Sequence, residues 1–136
     1  MLFAQNNGKI KKLFFNSQVW HNNFLIYNFF ISFTLLLIIW GEIIWALFAL
    51  KGVMFFSLHY SIYFGVDWLG GPGSFFIFPV FASIVLAINY TLSNIFYDSK
   101  RILSYFLTCS VPLIEIFILV AVSLVIYINW AGVPPA

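Results

Sequence analysis

Two acidic side chains stand where acids are rarely found. Glu42 and Glu115 each lie well inside a long apolar run, and a charge in such a setting costs several kcal/mol unless a partner or a function accounts for it. Polar residues that repeat near them at helical steps supply the candidates. Asn28, Ser32, Glu42, Ala46 and Ala49 fall on one stripe with Leu35 and Ile39; Pro79, Ser83, Ala87, Tyr90 and Asn94 form a second, with Ala82, Asn89 and Ser93 beside it; Ser104, Thr108, Pro112 and Glu115 form a third. Two acids opposite hydroxyls and amides have the ingredients of a proton or cation path. The same groups can simply hydrogen-bond helices together or attach a partner subunit, and that reading is preferred. Other chemistry is poorly provided for. Cys109 has no intramembrane histidine to activate it. His21 and His59 are far apart, without metal-ligand spacing. No serine or acid sits in a nucleophile or metalloprotease motif. A non-enzymatic protein with no cofactor and no metal is expected.

The elements that must position these groups follow from composition. The chain has 136 residues, 63% of them hydrophobic, 22% aromatic with 18 Phe, and only 7% charged; its mean hydropathy is +1.03. A soluble domain carries about a quarter charged residues, so an integral membrane protein of one domain is expected, with no nucleic-acid partner at a net charge of +2. Three runs without Lys or Arg are long enough to cross a bilayer, at residues 24–50, 74–96 and 104–128. The remaining segments are a basic leader at 1–23, an aromatic loop at 51–73, a tight turn at 97–103 and a tail at 129–136. The fold class expected is all-α membrane: three transmembrane helices plus a short interfacial helix in the aromatic loop. At a rise of ~1.5 Å per residue, Glu42 and Ser83 lie ~12 and ~13 Å below the loop-side ends of their helices, and Asn89 and Glu115 ~20 Å below theirs. This predicts Glu42 near Ser83 and Glu115 near Asn89. Pro112 additionally frees the carbonyl of Thr108 as an acceptor near Glu115.

Charge placement predicts orientation. Lys9, Lys11, Lys12, Lys100 and Arg101 lie on one side of the spans and Lys51 on the other, so the N-terminus and the 97–103 turn are expected in the cytoplasm and the C-terminus outside. Leu13, Phe14, Phe15, Val19 and Trp20 follow the lysines and allow a short surface-lying segment, though a plain solvated tail is preferred. In the loop, Leu58, Ile62, Val66 and Leu69 recur at helical spacing beside rows of aromatics. A short helix along the outer interface is expected there, broken at Gly65 and at Gly70-Gly71-Pro72-Gly73, with Ser74 capping the second span. His59, Tyr60, Tyr63, Asp67 and Trp68 are candidates for a lipid or peptide contact; an aromatic belt of snorkelling side chains is the simpler account.

The run Leu58-His59-Tyr60-Ser61-Ile62-Tyr63-Phe64-Gly65-Val66-Asp67, followed by a Gly/Pro turn, a span, a Lys-Arg turn with Leu103-Ser104-Tyr105-Phe106-Leu107 and a last aliphatic span, resembles a group of small membrane proteins of reduced-genome candidate-phylum bacteria. Members carry Asn where this chain has Ser61. The resemblance covers about residues 30–128 and implies a bacterial cytoplasmic membrane location, with no chemistry attached. Taken together, the residues predict a small accessory or scaffolding membrane subunit in contact with the lipid bilayer and with a second copy or an unknown membrane partner. The alternatives are an oligomeric proton or ion conductor using Glu42 and Glu115, and a lipid- or peptide-binding loop.

Overall fold

A computed structural model describes residues 19–51, 55–61, 63 and 65–131. Most of the basic leader lies outside the described residues, as do Ile62, Phe64 and positions 132–136 of the tail. Three helices dominate: α1 (Asn23–Ala49), α2 (Ile77–Phe96) and α3 (Arg101–Ala131). All three are long and apolar enough to cross a membrane, α2 together with the 3-10 turn at Pro72–Phe76 that leads into it. The chain thus has the architecture of a multi-pass membrane protein. Phe30, Leu37, Phe48, Phe81, Phe106 and Phe117 are all exposed, an exterior suited to lipid and unsuited to water.

The helix ends show how local sequence sets the boundaries. Asn22 caps α1 by accepting from the backbone N–H groups of Phe24 (3.0 Å) and Leu25 (3.4 Å), satisfying two donors that have no partner inside the helix. At α2 the expectation of a Ser74 cap is corrected. Gly71 precedes the 3-10 turn, which opens on Pro72, and Ser74 lies inside that turn with its N–H on the Gly71 carbonyl at 2.9 Å. Pro79 follows in the first turn of α2, where a missing N–H costs nothing. Between α2 and α3 the Phe96 carbonyl accepts from Ser99 (3.1 Å) and Lys100 (2.7 Å), closing the tight turn expected from the Asp-Ser-Lys-Arg run.

Helix α3 is the central strut. Both other helices pack along it, and they meet each other over a smaller area. The larger apolar core gathers Leu36, Ile39, Ile43 and Ala46 of α1, Ala82 of α2, and Val122 and Ile126 of α3, at the end where α1 finishes and α2 begins. A small second cluster of Val19, Leu25 and Tyr97 closes the other end. On α1 the predicted stripe holds at Ser32, Ile39 and Ala46, but the buried line continues through Leu36 and Ile43, one residue away from Leu35 and Glu42. That offset turns Glu42 toward the rim of the bundle.

The short interfacial helix expected in the aromatic loop is not formed. Residues Phe56–Ser61 and Gly65–Gly70 are strands β1 and β2, paired antiparallel from Phe56↔Gly70 to Ser61↔Gly65 with irregular register around His59. The helical spacing of Leu58, Ile62, Val66 and Leu69 competed with a shorter signal, the alternation of Phe56 and Leu58 about Ser57, and the shorter signal prevails. Phe56 and Leu58 are both buried, as period-two alternation on a docked strand requires. An isolated hairpin is barely stable; this one rests on the bundle. The Phe56 ring packs edge-on to Phe75 at 4.8 Å, and Gly70 lets the strand pass close to Leu58 and Ser74. A Cβ there would lie 2.5 Å from Leu58 Cδ1 and 2.6 Å from Ser74 Oγ.

Candidate functional site

The polar side chains gather at three depths. At the Lys100–Arg101 end, the Asn22 amide that caps α1 also donates to the hydroxyls of Tyr97 (3.0 Å) and Tyr105 (2.7 Å). Arg101 lies over the Tyr97 ring, 5.3 Å from its centre, and Tyr105 meets both Phe24 and Tyr97 edge-on. One turn further in, the buried Ser93 and Ser104 hydroxyls bond each other across α2 and α3, and Ser104 also donates to the Ser93 carbonyl at 3.1 Å. The small side chains let the two backbones approach, as hydroxyl-bearing contacts do within membranes.

Glu115 occupies the middle of the bundle, fully buried. Its neighbours are Ser32 of α1 and Tyr90 of α2. The predicted contact with Asn89 is not made: the Asn89 amide donates to the Val85 carbonyl of its own helix at 2.9 Å. Nor does Glu115 engage the Thr108 carbonyl; among the described residues Ser32 stands close enough to interact with both Glu115 and Tyr90, but no contact of the carboxyl oxygens, the Ser32 hydroxyl or the Tyr90 hydroxyl reaches full hydrogen-bond geometry. A small cavity of about 60 Å³ touches Tyr90 and Asn94 and runs toward Leu25 and Val19. It is large enough for a water molecule, which needs about 10–15 Å³.

Glu42 lies nearer the hairpin end, half-buried at the rim. It does not meet Ser83 as predicted. Ser83 instead donates to the Pro79 carbonyl at 2.7 Å and accepts from the Trp40 indole at 3.4 Å, because α1 presents Trp40 rather than Glu42 to α2. The partner of Glu42 is Ser123 of α3, whose hydroxyl donates to both carboxyl oxygens at 3.2 and 3.1 Å. The pair sits in an open groove of about 370 Å³ between α1 and α3, with Trp45, Ile126, Tyr127 and Trp130 as its remaining walls. Trp45 and Trp130 stack in parallel, 5.6 Å apart with 6° between their planes.

The loop candidates are distributed along the hairpin. His59 and Tyr60 lie on β1, Asp67 and Trp68 on β2, with His59 opposite Trp68, and Tyr63 at the exposed turn. The strands therefore bring His59 and Trp68 together in register, whereas a helix would have set them more than two turns apart. Two residues of consequence were not singled out from sequence, the amides Asn22 and Asn129 at helix ends; Ser123 stands out in the sequence only as a hydroxyl without a nucleophile motif, not as a partner of Glu42. Asn129 joins hairpin to bundle, its amide N–H donating to the Ser57 carbonyl at 2.7 Å while its oxygen accepts from the Ser57 N–H at 2.8 Å. Its position on the last turn of a span, past the aliphatic run, was the available signal. No protein-family model, curated protein or solved structure matches the chain.

Proposed function

We propose that this chain is a non-enzymatic accessory or scaffolding subunit of a bacterial cytoplasmic membrane, oriented with its Lys100–Arg101 turn inward and its hairpin outward. The supporting observation is how the polar side chains are used. Asn22 with Tyr97 and Tyr105, Ser93 with Ser104, Trp40 with Ser83, and Asn129 with Ser57 each tie two elements together. This is the deployment expected of a rigid membrane module that presents a fixed outer surface. Solubilisation in a mild detergent followed by cross-linking and size analysis tests it. A stoichiometric companion or a defined oligomer is expected; a monomer with no companion under several detergents overturns it.

A second reading rests on Glu115. A fully buried carboxyl with the hydroxyls of Ser32 and Tyr90 close by is the kind of group that proton relays use. In proteoliposomes carrying a pH gradient, Glu115→Gln slows dissipation relative to the unaltered protein if the acid conducts, and leaves it unchanged if the acid is structural.

A further inference from the structure

The groove around Glu42 combines features that no helix-packing role requires. A carboxyl group that only packs α1 against α3 would be expected to turn inward and bury its oxygens. Glu42 instead remains half-exposed, and among the described residues its hydrogen-bond partner is Ser123 alone. The Ser123 hydroxyl shares its one proton between both oxygens and leaves the carboxylate, with about four acceptor sites, capacity to spare. The described cations are elsewhere. Lys51 lies over the Phe48 ring at 4.9 Å, and Lys100 and Arg101 stand at the opposite end of the bundle.

Three aromatic rings border the same opening, Tyr127 and the stacked pair Trp45 and Trp130, each more than half exposed. A carboxylate flanked by electron-rich aromatic faces matches one kind of ligand group, an organic ammonium. The carboxylate accepts its N–H bonds and the rings attract its charge within about 6 Å. An anion would meet repulsion from Glu42, and a neutral apolar chain would use none of the acceptor capacity that the Ser123 hydroxyl leaves on the carboxylate.

Depth restricts the source of that ammonium. Glu42 stands seven residues before the end of α1 and Ser123 eight before the end of α3, so both lie about 10–12 Å below the helix ends. Those helices, of 27 and 31 residues, are about 40 and 46 Å long, longer than the hydrocarbon core of about 30 Å. Shared between the two ends, the excess leaves about 5–8 Å of each helix in the headgroup region, so Trp130 stands within it while Glu42 and Ser123 lie a few ångströms below its lower edge, where a headgroup must dip to meet them. The upper groove, with Tyr127 and Trp130, falls where aromatic belts form, and its deeper part, at Glu42 and the exposed Ser123, is open to the side. We propose that this groove is a binding site for a phospholipid with an ammonium headgroup, its amine held by Glu42 between the tryptophans and Tyr127 and its acyl chains running down the α1–α3 surface.

Native mass spectrometry of the full chain tests the assignment, with phosphatidylethanolamine and phosphatidylglycerol of identical acyl chains offered together at equal concentration. Retention of the ethanolamine lipid in preference to the glycerol lipid by on the order of tenfold is expected. Glu42→Gln should abolish the preference, and Trp45→Leu should reduce it while Phe117→Leu, on an exposed face away from the groove, leaves it intact. Equal retention of the two lipids by the unaltered protein overturns the proposal, and needs no variant to fold. So does a preference that survives Glu42→Gln, or a second copy of the chain occupying the groove in cross-links through Trp130. The last outcome would itself be a defined oligomer of the kind the proposed function expects; the lipid preferences do not bear on whether a companion subunit co-purifies, so the two proposals fail separately.

Discussion

Gly70 is the residue at which the hairpin's docking is most easily tested, because its lack of a side chain lets β2 turn into the 3-10 turn against Leu58 and Ser74. An added methyl would meet Leu58 Cδ1 at 2.5 Å and the Ser74 side chain at 2.6 and 2.8 Å. Gly71 and Gly73 face open space at the same bend. Gly70→Ala is therefore expected to destabilise the docked hairpin by about 1–3 kcal/mol through overpacking, whereas Gly71→Ala and Gly73→Ala change stability little. Thermal unfolding of the three variants in one detergent gives the comparison; equal melting temperatures would refute the close approach. The same residue scale shows where sequence reading stops. Glu42 and Glu115 are conspicuous in any apolar run, so their importance was legible. Their partners were not, because partner choice depends on rotation about the helix axis, and an offset of one position on α1 moves a side chain by about 100°. That rotation sends Glu42 to Ser123 instead of Ser83 and hands Ser83 to Trp40.

Among the elements, the three helices could be read closely from hydropathy because lipid requires every backbone group to be satisfied within the segment. The expected bounds of 24–50, 74–96 and 104–128 lie within three residues of α1, α2 with its 3-10 turn, and α3 at every end. The loop was misread because aromatic-rich segments of about a dozen residues satisfy helical and strand periodicities alike, and tertiary docking decides between them. Here the deciding contact is Asn129. Its side-chain amide presents a donor and an acceptor to Ser57 as a neighbouring strand would, while the same amide also donates to the Val125 carbonyl at 2.7 Å. Asn129→Leu keeps the branching of the side chain but removes both bonds to Ser57, and should cost about 1–3 kcal/mol with a faster-exchanging Ser57 amide. Hydrogen exchange read by mass spectrometry over residues 55–61 would show the loss of protection; unchanged exchange there would mean that Phe56 and Phe75 hold the strand unaided.

For the molecule as a whole, the contacts between distant elements establish which ends share a side before charge is considered. Asn129 at the end of α3 bonds Ser57 in the hairpin that follows α1, and Asn22 at the start of α1 bonds Tyr97 and Tyr105 around the α2–α3 turn. The hairpin and the end of α3 therefore lie together, opposite the start of α1 and the turn, as three successive crossings demand. The proposed orientation, with the turn inward and the hairpin outward, rests on the lysines. Five of the six Lys and Arg residues, Lys9, Lys11, Lys12, Lys100 and Arg101, flank the Asn22 end, against Lys51 at the hairpin end, a bias of the size that sets orientation in short loops. In a Cys109→Ala background, Tyr63→Cys at the exposed turn of the hairpin should react with a membrane-impermeant maleimide in intact cells, and Ser99→Cys only after permeabilisation. The reverse labelling pattern would invert the molecule in the bilayer, place the Glu42 groove in the inner leaflet, and leave the interhelical bonds unaltered. Labelling of both positions from one side would break the three-crossing architecture itself.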